Sequence, residues 1–412
     1  MTQLIDTRDV KSVQNLDRDL KMLRSPARLV ESAGLGCRFV LFAPASGAIV
    51  LTDRLGIELL SGLVACEDAK TIASRLSNMS AASEPFGSQE ASEIASAILA
   101  SWRDAGLFAK EQLPFPDAVT DHGGEALNKR GYVSEFGRLL VESDDLKLAE
   151  QLDEILGQYA CEDTSAGQEW AKAGQEWVKA RCVYCEDGGR GVFLGGRPLW
   201  GRSTRDEARY FLIREAAETL CGDGQVGAVL HGAAVLGSSG ALLIVGDSGR
   251  GKSTLAQGLV EAGCGFLADD HLPLHLDGRH LLAFPAGSAV KHGARELSEV
   301  RKLAVRHGKL ASSRNRVNYL TLPPAAAVGT RVPIKSIVLP EFRAGSDLAV
   351  EKIDPEQAFT DCVVTGARPS RRNTQITPLA VMCDTFPAYR LIFGESQQSV
   401  SACLDLLSSC NS

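Results

Sequence analysis

The stretch "LLIVGDSGRGKSTL", residues 242–255, constrains this chain more than any other. Its centre, Gly246, Asp247, Ser248, Gly249, Arg250, Gly251, Lys252 and Ser253, fits G-x-x-x-x-G-K-[ST] at every fixed position. The apolar run 241–245 predicts a short strand before it. Leu255, Leu259 and Val260 predict a helix over 253–262 after it. Strand, glycine-rich turn and helix in that order make a phosphate cradle. The glycines let the backbone curl until several N–H groups point inward, and the helix N-terminus adds its positive dipole end. A nucleoside triphosphate is the expected ligand of residues 246–254, Thr254 included. Lys252 is expected to reach its outer phosphates, and the Ser253 hydroxyl to sit on Mg²⁺.

Such a loop needs a carboxylate for its metal, and "CGFLADDH" supplies two. Residues 265–268 read as a strand, with Asp269 and Asp270 at its C-terminal end. That is where an open α/β sheet binds its ligands. Adjacent carboxylates raise one another's pKa unless a cation intervenes. Mg²⁺ on one leaves the other as a base for an incoming hydroxyl. Upstream, "VLHGAAVL" places His231 on the strand before the loop strand, with "GSSG" at 237–240 as the turn between them.

The rest of the chain narrows the setting. With 44 basic and 51 acidic residues the net charge is −7, which gives no broad electrostatic case for nucleic acid or anionic membrane. The one local candidate for a basic patch, "SRR" at 370–372, reads better as a solvated surface turn. There is neither a signal-peptide core at the start nor a run of about 18 apolar residues, so a cytoplasmic location is expected. The 11 scattered cysteines read as free thiols, and "CVYC" at 182–185 as two strand cysteines on opposite faces.

Residues 1–25 are polar and aperiodic, an arm or a short helix. "RFVLFAPASGAIVLTD" reads as a hairpin, followed by helices in "RLGIELLSGLV" (Ile57, Leu60 and Leu63 on one face), at 69–76, and in "EASEIASAILASWRDAGLF". In the last of these Ile94, Ile98 and Trp102 share a face, and Gly106 ends it. "KEQLPFPDAVTDHGG", 110–124, is the best linker. Beyond it come short strands, a hairpin turning at Gly195 and Gly196, and a helix in "RDEARYFLIREAAETL" with Ala208, Phe211, Leu212 and Ala216 on one side. The tandem "GQEWAKAGQEWVKA", 167–180, is too short for a solenoid and reads as an exposed helix.

Two resemblances follow from these residues. The hairpin and helices of residues 38–108 resemble the PqqD-like fold, a small winged-helix peptide-recognition module found with enzymes that modify ribosomal peptides. "HG…GDSGRGKST…LADD" resembles the HPr kinase family and its relatives on the phosphoenolpyruvate-carboxykinase-like P-loop fold, closely over 231–270 and loosely over 124–407. Together they imply a mixed α/β chain: an arm (1–25), a PqqD-like winged-helix domain (26–115) and an HPr-kinase-like P-loop kinase domain (122–412, with its core from about 225).

The second resemblance implies ATP and Mg²⁺ as cofactors and transfer of the γ-phosphate to a side-chain hydroxyl of a peptide or protein. Asp270 would be the base, Asp269 with Ser253 would hold the metal, and His231 would sit near the transferred phosphate beside Lys252. Lys291, in "FPAGSAVKHG", stands where related kinases carry a similar lysine and would bind phosphate. Arg316 is a weaker candidate of that kind. A homo-oligomer would also fit this family. One departure matters: the family's later segment rich in Gly, Asn and Glu, tied to phosphorolysis, is not found. That leaves phosphorolysis, and HPr itself as substrate, without support. Two other readings stay open: a regulatory kinase acting on a folded protein, and a non-catalytic, nucleotide-dependent peptide-binding protein. DNA binding by the winged-helix-like region lacks a basic recognition helix.

Overall fold

The computed structural model describes residues 16–79, 87–109, 126–161, 176–185, 189–307 and 317–409. The protein is mixed α/β and divides into two compact units. The first takes in Met1–Pro114 with Asp354–Thr360 and Thr374–Asp384. The second takes in the remainder of the chain.

In the first unit, α1 (Leu16–Ala27) precedes β1 (Glu31–Leu35), β2 (Arg38–Ala43) and β3 (Ala48–Thr52), and α2 (Arg54–Val64), α3 (Ala69–Asn78) and α4 (Ser88–Asp104) follow. The strands form an antiparallel sheet in the order β1-β2-β3. Asp53 and Asp68 start α2 and α3 by accepting from the backbone N–H of Gly56 and Thr71, leaving fewer orphan donors in each first turn. Leu16, Leu20, Leu23 and Ala27 recur at helical spacing and join Leu41, Val50, Leu59, Leu63, Leu99 and Trp102 in one core. Residues 16–25, expected in the arm, therefore belong to this core. Strand β1 is an addition to the expected hairpin. Its sequence, ESAGL, lacks β-branched residues, and it is a strand because a tight turn at Gly36 (φ 56°) folds it onto β2.

The second unit holds two larger sheets. The first is built from β4 (Asn128–Val133), β5 (Arg138–Ser143), β6 (Ala160–Cys161), β7 (Val178–Tyr184), β8 (Arg190–Leu194) and β9 (Arg197–Ser203), in the order β6-β4-β5-β7-β8-β9. Helix α5 (Leu146–Leu156) packs on it. The β8–β9 hairpin turns at Gly195 and Gly196, both at positive φ, as expected. The end of the tandem repeat does not form the expected helix: Val178–Ala180 open β7, where parallel pairing with β5 claims their backbone. Residues 162–175 of that region, the linker 110–124 and Arg316 lie outside the described residues. Cys182 is buried in β7 and Cys185 falls just past its end, and neither forms a disulfide.

Helix α6 (Arg205–Leu220) starts with a reciprocal Thr204–Glu207 capping box. It then packs against β5, β8 and β9 on one side and against the strands of the second sheet on the other. Those strands begin with β10 (Val226–Gly237), β11 (Gly240–Val245), β12 (Gly265–His275) and β13 (His280–Leu282), with α7 (Lys252–Glu261) between β11 and β12. A small antiparallel pair, β14 (Ser288–Lys291) and β15 (Val317–Leu320), flanks α8 (Ser298–His307). Then follow β16 (Arg331–Phe342), β17 (Ala349–Ile353), β18 (Arg368–Pro369), β19 (Ala388–Phe393) and α11 (Ser396–Ser408), while of the intervening helices α9 (Pro355–Val364) begins in the first unit and α10 (Thr377–Thr385) lies in it up to Asp384. The sheet order is β11-β10-β12-β13-β16-β19-β17, and β16 also pairs in parallel with β11. The expected open sheet is therefore replaced by a closed circuit of pairings, β11-β10-β12-β13-β16, with antiparallel partners around β10.

That circuit moves the aspartates. They do not end their strand. Strand β12 continues to His275, because β10 is 12 residues long and pairs with it along its length. Asp269 and Asp270 sit mid-strand, and Asp270 adopts φ +70°, an unusual value for a residue with a side chain.

The "SRR" segment also departs from expectation, because it is no solvated turn. Ser370 is buried and donates to Glu218, while the Arg371 backbone N–H donates to the same carboxylate. Arg372 pairs with Glu215 at 2.6 Å and Asp223 at 3.0 Å. Both faces of the second half of α6 are covered, so Glu215 and Glu218 are buried and neighbouring arginines neutralise them in place. Replacing Arg372 by Ala leaves Glu215, 1% exposed, without its ion-pair partner. The expected cost is about 3–5 kcal/mol by urea unfolding. A loss within about 0.5 kcal/mol, the mark of a surface turn, would contradict this.

Candidate active site

Register brings the pieces together. On β10, Gly232 pairs with Val245, the last residue of β11, on one side and with Asp270 on the other. The middle of β12 is thereby level with the point where the chain leaves β11 for the glycine-rich loop. Glycine is required at 232 because a Cβ there would strike the Ile244 carbonyl oxygen.

The loop itself is shaped by positive φ at Gly246 (153°), Gly249 (89°) and Gly251 (93°). Gly251 stands at the N-cap of α7 with no side chain to cap it, so the first-turn N–H groups of Lys252, Ser253 and Thr254 face an anion's place. Asp247, Ser248, Gly249 and Arg250 are exposed on the loop. Arg250 pairs with Glu341 at 3.1 Å. Lys291 leans in from the end of β14 and donates to Ser248 Oγ at 3.0 Å.

Lys252 is buried. Its Nζ donates to the Asp247 carbonyl at 2.9 Å and lies 3.2 Å from His231 Nε2. An ammonium can only donate, so Nε2 accepts and the proton of the neutral ring sits on Nδ1. Nδ1 lies 3.1 Å from the Asp270 carbonyl and 3.4 Å from its carboxylate. His231 thus bridges the loop lysine and the second aspartate. Burial holds its pKa below the ordinary value, which keeps the ring neutral in that bridge. Burial likewise lowers Lys252 to about 8.

The two aspartates have opposite surroundings. Asp269 is 1% exposed. Its Oδ1 accepts from Ser253 Oγ at 2.9 Å and from the Asp270 N–H. Its Oδ2 accepts from Ser288 Oγ at 2.8 Å and the Ala289 N–H at 2.9 Å. Burial, then the neighbouring Asp270 charge, pushes it up to about 6. Asp270 keeps 35% of its side-chain surface open. Burial opposes its charge too, but the neighbouring Lys252 cation helps to hold it below the ordinary carboxylate value.

One carboxylate is tied to the loop serine and the other is ionised and reachable. The residues fit a magnesium nucleotide: a hydroxyl beside a carboxylate offers the oxygen ligands a hard cation takes, next to a glycine cradle with a buried lysine.

All the residues singled out in the sequence except Arg316 fall on this loop or on its neighbouring strands. Three participants were not singled out in the sequence. Ser288 holds Asp269 from β14. Gln257, buried one turn after Ser253, donates to Ser288 Oγ at 2.8 Å. Tyr210 of α6 lies 4.7 Å from the buried His271 ring and 6.1 Å from His231. A polar Gln257 on an otherwise apolar helix face was the one legible hint. No protein-family model and no curated protein matches the chain.

The raised Asp269 value has a signed consequence. Its folded pKa, about 6, exceeds the ordinary 3.8, so its contribution to stability is complete below about pH 4 and is lost as pH rises through about 6. The stability difference between wild type and Asp269→Asn, by urea unfolding without ligand, should therefore fall over that window, by at most about 1.4 kcal/mol per pH unit. A difference that stays flat, or rises, contradicts the assignment.

Proposed function

We propose that this chain is an ATP- and Mg²⁺-dependent kinase that transfers the γ-phosphate to a side-chain hydroxyl of a peptide or protein. The observation that carries this is the division of labour between the aspartates. A nucleotide switch needs one carboxylate for its metal, which Asp269 supplies through its bond to Ser253. Asp270, ionised, partly open and linked through His231 to Lys252, is superfluous to a switch and suited to a base.

ATP supplies the phosphoryl group and Mg²⁺ neutralises its charge. Ser253 and Asp269 would hold the ion, and Gly246 to Thr254 with Lys291 would hold the phosphates. Lys252 sets a fixed positive charge at the transfer point. Asp270 accepts the proton of the incoming hydroxyl, and His231 fixes that residue by donating from Nδ1 to its backbone carbonyl, with the carboxylate 3.4 Å away. Because the ring is neutral and its Nε2 is occupied by Lys252, it positions groups without competing for the proton.

The acceptor is assigned to a peptide on the strength of the first unit. Its hairpin and helices resemble a PqqD-like module, and β1 and β3 each pair with one strand only among the described residues. An extended peptide added to such an edge would be held at high effective concentration for phosphorylation, with no need for tight binding at the catalytic groups. A ribosomally made precursor peptide is the substrate class this favours.

Incubation with γ-labelled ATP and candidate peptides, including any encoded nearby, tests the proposal. Label should pass to a peptide hydroxyl. Asp270→Asn should cut transfer about 10²–10⁴-fold while nucleotide binding persists, and Lys252→Ala should weaken both. Nucleotide binding without transfer to any acceptor would sink the kinase reading in favour of a nucleotide-dependent peptide binder.

A further inference from the structure

A second cluster of ligating side chains lies at the far end of β12, away from the glycine-rich loop. His275 is the last residue of β12 and His280 the first of β13, and Asp277 sits in the connection between them. Five residues of extended strand separate His275 from Asp270, about 16 Å. Among the described residues this is the one group of three or more His, Cys, Asp or Glu side chains whose ligand atoms converge, all lying within 4.8 Å of one another.

The details are those of a built site. Asp277 Oδ2 lies 3.0 Å from His275 Nδ1 and 2.8 Å from His280 Nδ1. Three donors around one ion held at about 2.1 Å stand about 3.0–3.5 Å apart, so these edges need little change. Asp277 Oδ1 is occupied by the backbone N–H groups of Arg279 at 2.7 Å and His280 at 3.1 Å, which aims Oδ2 at the two rings. The rings stand nearly perpendicular, at 87°, and both bring Nδ1 close to Asp277 Oδ2.

His275 Nδ1 also receives the Asp277 N–H at 3.2 Å. A ring nitrogen carries one lone pair, so an ion bound at Nδ1 would take it over from the Asp277 N–H. His275 is buried, while Asp277 and His280 keep about a third of their surface, 35% and 37%, which leaves a path in and a coordination position open.

The geometry points to a divalent transition-metal site of the Zn²⁺ type, with His275, Asp277 and His280 as ligands and solvent completing the shell. Two imidazoles and one carboxylate suit Zn²⁺, Ni²⁺ or Co²⁺, whereas Mg²⁺ and Ca²⁺ prefer all-oxygen shells. The ion would clasp the β12–β13 turn. Because His275 pairs with Val226 of β10 and His280 with Pro333 of β16, it would tie neighbours in the closed circuit of strands. The site is independent of the nucleotide reading.

Co²⁺ titration of the full chain followed by visible absorption tests this. The expected result is d–d bands that saturate at one ion, without the sulfur charge-transfer band that the free cysteines would give. Zn²⁺ should displace the signal and Mg²⁺ should not. His280→Ala, and separately Asp277→Asn, which keeps an acceptor for the turn N–H groups, should each weaken Co²⁺ binding at least about tenfold. Their circular dichroism without metal should stay that of wild type. Absence of visible bands, bands with sulfur charge transfer, or unchanged affinity in either variant would overturn the site.

Discussion

The buried carboxylate of Asp269 joins three segments that are far apart in the chain. It accepts from Ser253 at the start of α7, from Ser288 and Ala289 of β14, and from the backbone of its neighbour on β12. The geometry of the site follows from those four bonds. They fix the height of the loop helix against β12, bring β14 and so Lys291 to the loop, and orient the following residue so that Asp270 faces His231. Burial and the neighbouring Asp270 charge both oppose ionisation of that carboxylate, as its raised pKa records.

The loop and its partners were legible because their chemistry is local. Glycines at fixed spacing, a lysine and a serine at a helix start, and an apolar strand before them specify a cradle with no long-range information. His231 and the aspartates were legible as residue types in order along the chain. Their mutual geometry was not, since it depends on the register of β10 against two strands at once. The expectation that the aspartates end their strand failed because strand length is set by the partner. Nothing in "LADDHLPLH" announces that β10 will pair with all of it.

The other departures share that cause. "SRR" looks solvated in sequence because two adjacent arginines normally are, and it is buried because α6 turns acidic side chains toward it. Helix α6 has an apolar side, as its spacing implies, but its polar side is also covered, and periodicity cannot report a second layer. Strand β1 has no composition of its own to announce it. Helix α1 was missed for a different reason: Leu16, Leu20 and Leu23 carry helical spacing, but the polar residues between them made the stretch read as aperiodic.

The closed circuit of strand pairings has a mechanical consequence. Strand β11, which launches the loop, has β10 on one edge and β16 on the other, so both rows of its backbone groups are occupied. It cannot slide, twist away or lend an edge to another chain without breaking hydrogen bonds on two sides. Whatever accommodation a ligand demands must then be taken up beyond Val245, in the glycines and the first turn of α7. The strand is an anvil, and the compliance of the site resides in the few residues that leave it.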